Sequence, residues 1–97
     1  MAEKFEVDLR DPESIKQIIQ ILVQGDHLTD ADLRGADLGG ADLEGADLWN
    51  TNLRGARLTC ADLWNTNLQD TNLGGANLRG ADLRDANLMG ASLWGAD

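Results

Sequence analysis

Few side chains in this sequence could carry out a reaction. His27 is the only histidine and Cys60 the only cysteine among 97 residues. A zinc or nucleophilic centre needs several such groups at ligand spacing, or a base within reach of a nucleophile. Neither residue has a second His or Cys at such a spacing, and Ser14 and Ser92 have no base nearby in sequence. Gly39-Gly40 and Gly74-Gly75 are not followed by Lys and Ser or Thr, so they read as turns and not as a phosphate cradle. No catalytic residue and no cofactor is expected, and the chain is not expected to be an enzyme. Carboxylates are abundant: 17 Asp and Glu stand against 8 Lys and Arg, for a net charge of −9. Asp32, Asp37, Asp42 and Asp47 recur every five residues. Trp49, Trp64 and Trp94 are the only tryptophans. Rows of carboxylates could hold a cation, and large apolar groups on an acidic surface could contact a partner.

The elements that position these groups follow from one period. Leu recurs every fifth residue from Leu33 to Leu93, thirteen times, and Ala or Thr always stands two residues earlier. On a helix, five residues advance about 500°, which would scatter the leucines over every face. In one unbroken strand, an odd period would send alternate leucines to opposite sides. The period works if each repeat is a short extended piece closed by a turn. Leu and the preceding Ala or Thr then point inward, and Asp or Asn between them points out. The second turn position is usually Gly, with Asn50, Asn65, Asp70 and Asp85 as substitutes. These residue types tolerate positive φ best. A short fixed period of this kind predicts a solenoid, in which each unit buries its face only by stacking on its neighbours.

The tandem A-D/N-L-x-x pattern from Ala31 to Asp97 resembles the pentapeptide repeat proteins. The resemblance covers about two-thirds of the chain. It implies an all-β solenoid: a right-handed quadrilateral parallel β-helix with one repeat per side and four per coil. Thirteen repeats would then make a little over three coils. The expected division is 1–25 as an N-terminal strand and capping helix, and 26–97 as the β-helix. Residues 3–10 alternate, with Phe5, Val7 and Leu9 on one side. Asp11 and Pro12 start a helix, Ile15, Ile18, Ile19 and Leu22 form its apolar stripe, and Gly25 ends it. Such a helix would cover the open end of the first coil. Asp26 to Asp30, including His27, reads as a degenerate repeat joining the two parts.

Four repeats per coil would stack Asp42, Asp62 and Asp82 in the one column that stays acidic, a conceivable metal site. Their carboxylates are better used in hydrogen bonds to the local backbone, so no metal is expected. Along the chain, seven acids and one base lie between Asp26 and Asp47, against five acids and four bases from Leu48 to Asp97. Trp49, Trp64 and Trp94 would fall on three different sides, and Arg84 would share a column with Trp64. Trp49, Trp64 and the acidic column mark a possible interaction surface. Leu83, Leu88, Met89, Leu93 and Trp94 mark a C-terminal coil through which two copies could pair. The charge argues against direct nucleic-acid binding or an anionic membrane. No apolar run reaches the roughly 20 residues of a membrane span. The start of the chain lacks the apolar region of a signal peptide, and one unpaired cysteine fits a reducing cytoplasm. The expected function is a non-enzymatic interaction or scaffold module with an unidentified protein partner. The alternative, implied by the resemblance, is an acidic DNA mimic that binds a type II topoisomerase such as gyrase.

Overall fold

A computed structural model describes Gln17, Ile18, Gln20 and residues 32–97. Within 32–97 every repeat has the same form. One outward residue makes a bridge to the next coil, and a two-residue corner follows Leu. The bridges are parallel and join residues 20 apart: Asp32 to Asn52 to Asn72 to Ser92, Asp37 to Arg57 to Asn77, Asp42 to Asp62 to Asp82, and Asp47 to Asn67 to Asn87. Twenty residues per coil at five per repeat makes four walls. Wall 1 holds 32–35, 51–55, 71–75 and 91–95; wall 2 holds 36–40, 56–60, 76–80 and 96–97. Wall 3 holds 41–45, 61–65 and 81–85; wall 4 holds 46–50, 66–70 and 86–90.

Backbone hydrogen bonds account for this stacking. In wall 1 the Leu33 N–H donates to the Asn52 carbonyl at 2.8 Å and the Gly35 N–H to the Arg54 carbonyl at 3.0 Å. In wall 2 the Arg57 N–H donates back to the Ala36 carbonyl at 2.8 Å. Each corner is closed by a bond from the residue after it to the preceding Leu carbonyl, as from Ala36 to Leu33 at 3.1 Å. The second corner residue always has positive φ, the mark of a type II turn.

Cys60 occupies this slot at φ +57, beside Asn50, Asn65, Asp70 and Asp85 at +57 to +59. Nothing in its residue type announces the left-handed conformation, which costs an ordinary L-residue about 1–2 kcal/mol. Cys60→Asn is therefore expected to leave stability unchanged or raise it by a few tenths of a kcal/mol. Cys60→Val, with a branched Cβ, should lower it by about 1–3 kcal/mol. Urea midpoints decide this, and a Val variant as stable as the parent would refute the strain.

The core is a column of leucine. Leu33, Leu38, Leu43, Leu48, Leu53, Leu58, Leu63, Leu68 and Leu73 are each 2% exposed or less. Burial of this kind contributes roughly 1.5–3 kcal/mol per side chain before entropy is subtracted. The inward Thr hydroxyls are satisfied: Thr51 and Thr71 both donate to the Leu48 carbonyl, at 2.8 and 2.7 Å, and Thr66 donates to Leu63 at 2.8 Å. Gln17, Ile18 and Gln20 are helical, and Ile18 is fully buried in the same cluster as the leucines. The expected strand over 3–10, the joining segment 26–30 and the rest of the helix over 12–24 lie outside the described residues. Among the described residues, no helix is long and apolar enough to cross a membrane.

Candidate interaction walls

The outward surface is built from the bridging residue and the two corner residues of each repeat. The Asp or Asn at the bridge is tied to its own corner. Its Oδ1 accepts the N–H two residues on, as from Glu44 to Asp42 at 3.2 Å, Trp64 to Asp62 at 3.1 Å and Gly74 to Asn72 at 2.9 Å. These Asx turns match the local use expected of the carboxylates and hold the corner backbone in place.

Arginines then neutralise particular carboxylates. Arg34 donates to Asp32 through Nε at 2.8 Å and Nη2 at 2.7 Å, and Arg84 does the same to Asp82 at 2.9 and 2.7 Å. Arg57 reaches one coil up to Asp37 at 2.7 Å, its guanidinium lying over Gly39, where a Cβ would collide with it. Arg79 pairs with Asp97 at 3.2 Å. Hydrogen bonds from the Arg34, Arg57 and Arg84 side chains hold Asp32, Asp37 and Asp82, respectively, below the usual carboxylate range, and the corner N–H bonds act in the same direction. These pairs stand in solvent, so their main effect is to cancel charge locally.

The acidic column is present in the predicted register, with Asp42 bridged to Asp62 and Asp62 to Asp82. Arg84, which shares a column with Trp64, makes its ion pair with Asp82. Among the described residues, Asp42, Glu44 and Asp62 form a carboxylate group in which one oxygen of each lies within 4.8 Å of the others. Asp42 and Glu44 are exposed, and Asp42 and Asp62 each already accept a corner N–H. Calcium at millimolar concentration is expected to leave the melting temperature nearly unchanged. A rise of several degrees that Asp62→Asn removes would establish a cation site, since a native-state ligand must stabilise by mass action.

The register places Trp49 on wall 4, Trp64 on wall 3 and Trp94 on wall 1, which are 39%, 36% and 82% exposed. Leu83 and Leu88 are half-buried, while Leu93 is 43% and Met89 69% exposed. Cys60 is an exposed free thiol. His27 and Ser14 lie outside the described residues. Reading charge along the chain places the acidity toward the first coil, and the register keeps it there, with Asp32, Asp37, Asp42, Glu44 and Asp47 against Arg34 alone; it adds how the charge is spread around the coils. Wall 3 carries Asp42, Glu44, Asp62, Asp82 and Asp85 against Arg84 alone, and wall 4 carries Asp47 and Asp70 with no base. Wall 1 has Asp32 against Arg34 and Arg54, and wall 2 has Asp37 and Asp97 against Arg57 and Arg79. The acidity of the described residues thus sits on two adjacent walls. One-dimensional counting could not see this, because it needs the number of repeats per coil.

The same architecture is found in known proteins. The Pentapeptide repeats family matches residues 27–65, 36–75 and 66–97, with eight copies. A pentapeptide repeat protein from the Arabidopsis thaliana thylakoid lumen is 33% identical, with a TM-score of 0.66, over 68% of this chain and 46% of its own. One from the cyanobacterium Cyanothece 51142 is 35% identical, with a TM-score of 0.60, over 74% of this chain and 50% of its own. One from Nostoc Pcc 7120 is 38% identical, with a TM-score of 0.50, over 84% of this chain and 73% of its own. The chain thus spans about half the length of the first two. No curated protein matches the sequence. Register, turn chemistry and family match agree on a right-handed quadrilateral β-helix, and the chain belongs to the pentapeptide repeat family.

Proposed function

We propose that this chain is a non-enzymatic protein-interaction module whose β-helix presents its walls to a protein partner. One observation carries the reading. The inward positions hold only Leu, Ala and Thr, whereas the bridge and first-corner positions vary among acids, bases, amides and tryptophan. A core that accepts any outward residue suits a surface shaped for recognition. The exposed thiol of Cys60 supports a reducing, cytoplasmic setting. The test is crosslinking from a photoreactive residue placed in turn on each of the four walls, at 64 on wall 3 among them, in cells of the source organism. A discrete protein adduct supports the module, and a chain that yields none from any wall refutes it.

The acidity of walls 3 and 4 favours a second reading, a mimic of duplex DNA that binds gyrase. Against it, Asp32, Asp37, Asp82 and Asp97 are already paired with arginine. Gyrase supercoiling assays with micromolar protein decide: inhibition or protection supports the mimic, and no effect removes it. For self-association, the coil bearing Leu83, Leu88 and Leu93 is the least covered part of the described core. A second copy stacked there would cover it. Sedimentation as a 10.5 kDa monomer at high micromolar concentration would exclude that pairing.

A further inference from the structure

We propose that walls 3 and 4, about the corner they share, dock a short segment of a partner protein rich in lysine or arginine. The inference rests on the interaction-module reading and names the partner's chemistry. In chain order, wall 4 lies between two corner columns. Glu44, Trp64 and Arg84 precede it; Trp49, Gln69 and Met89 follow it. Between them runs the ladder Asp47, Asn67 and Asn87, in which the Asn67 amide donates to Asp47 Oδ1 at 3.3 Å. The wall is therefore a strip of amide and carboxylate, bordered on one side by Trp64 and on the other by Trp49 and Met89. Those three are 36%, 39% and 69% exposed, large areas to leave in water on so small a body.

Charge selects the occupant. Asp42, Glu44, Asp62, Asp70 and Asp85 on walls 3 and 4 form no ion pair with any described residue, whereas walls 1 and 2 are nearly neutral. The carboxylates of wall 3, beside the indole ring of Trp64 at the shared corner, suit a side chain with an apolar stem and a cationic head. The stem of lysine or arginine packs on the ring, the head lies over its face or against a carboxylate, and long-range attraction speeds encounter. Acidic peptides and nucleic acids are repelled. Size sets the strength: three coils at about 4.8 Å spacing make a wall only about 10 Å tall. A face that short cannot supply the roughly 800 Å² per partner of a standard interface, so the segment is short and its binding is weak and sensitive to salt.

The test uses the full chain in titration calorimetry with an octapeptide of alternating lysine and leucine, and with its glutamate–leucine counterpart. The lysine peptide should bind saturably and weaken at least ten-fold between about 20 and 500 mM salt. The glutamate peptide should not bind. Trp64→Ala and Asp62→Asn should each weaken binding about ten-fold. Asp37→Asn, the same charge change on wall 2, should leave it within about two-fold. Melting curves for each variant separate lost binding from lost folding. Equal weakening by Asp37→Asn and Asp62→Asn would mean diffuse charge attraction and would overturn the proposal, as would no binding at low salt. A cellular partner crosslinked only to walls 1 and 2 would overturn it while leaving the interaction module intact.

Discussion

Replacing Leu63 by Lys should abolish cooperative folding. Leu63 is fully buried in the middle described coil, with Leu43 and Leu83 at the same position of wall 3 in the coils on either side. The substitution removes apolar contact worth about 2–5 kcal/mol when a buried Leu is truncated. It also places an ammonium where, among the described residues, no carboxylate faces inward, a cost of several kcal/mol more. Together these match the entire stability of a typical small domain, about 5–15 kcal/mol. Circular dichroism should show no melting transition. Leu63→Met, which keeps the volume, should cost less than about 1.5 kcal/mol. Asp62→Lys, one residue away but outward, should still melt cooperatively. A Leu63→Lys chain that melts like the parent would contradict the inward leucine column.

The second large effect is expected at Ile18. Its side chain is fully buried in the leucine cluster, while its helical neighbours Gln17 and Gln20 are exposed. Ile18→Asp should lower stability by about 3–5 kcal/mol, through the lost aliphatic contacts and an unpaired buried charge. Gln17→Asp and Gln20→Asp should stay within about 0.5 kcal/mol of the parent. Such a split would give the proposed N-terminal unit, residues 1–25, its capping role, because a solenoid end without cover exposes its core. If all three variants unfold at the parent's urea midpoint, the helix adds nothing to the coils.

Much of this fold is legible in the sequence because a period of five leaves few geometric solutions. Leu at the third position and Ala or Thr at the first must share the inside, so the buried set from Leu33 to Ala76 could be written down directly. Gly, Asn and Asp marked the corners through their tolerance of positive φ. Cys60 was not so marked, since only its place in the series puts it at φ +57. Four repeats per coil is not contained in the period. It came from resemblance, and the spacing of 20 between bridged residues supplies it independently. The interaction surface was less legible. Trp49 and Trp64 read as scattered because they belong to different walls, but those walls share a corner. Arg84 was read only as a column neighbour of Trp64, and its ion pair with Asp82, two residues earlier, emerges from side-chain geometry. Of the apolar stripe expected for the N-terminal helix, Ile18 is the member among the described residues, and it lies in the core.

The register of 20 also makes the surface a matter of phase. Because every repeat has the same inside, sliding the sequence by one repeat leaves the core unchanged and moves each following outward side chain one quarter-turn around the barrel. The octapeptide Ala-Asp-Leu-Trp-Asn-Thr-Asn-Leu occurs twice, at 46–53 and again at 61–68. The offset of 15 is three-quarters of a coil, so the second copy of its tryptophan lands on the neighbouring wall and not above the first. Inserting five residues between the copies would bring the two tryptophans into vertical line. Inserting 20 would keep their angle and only separate them along the axis. In this fold the length of an insertion, counted in fives, is an angular coordinate, and it can rearrange what the molecule displays without touching what holds it together.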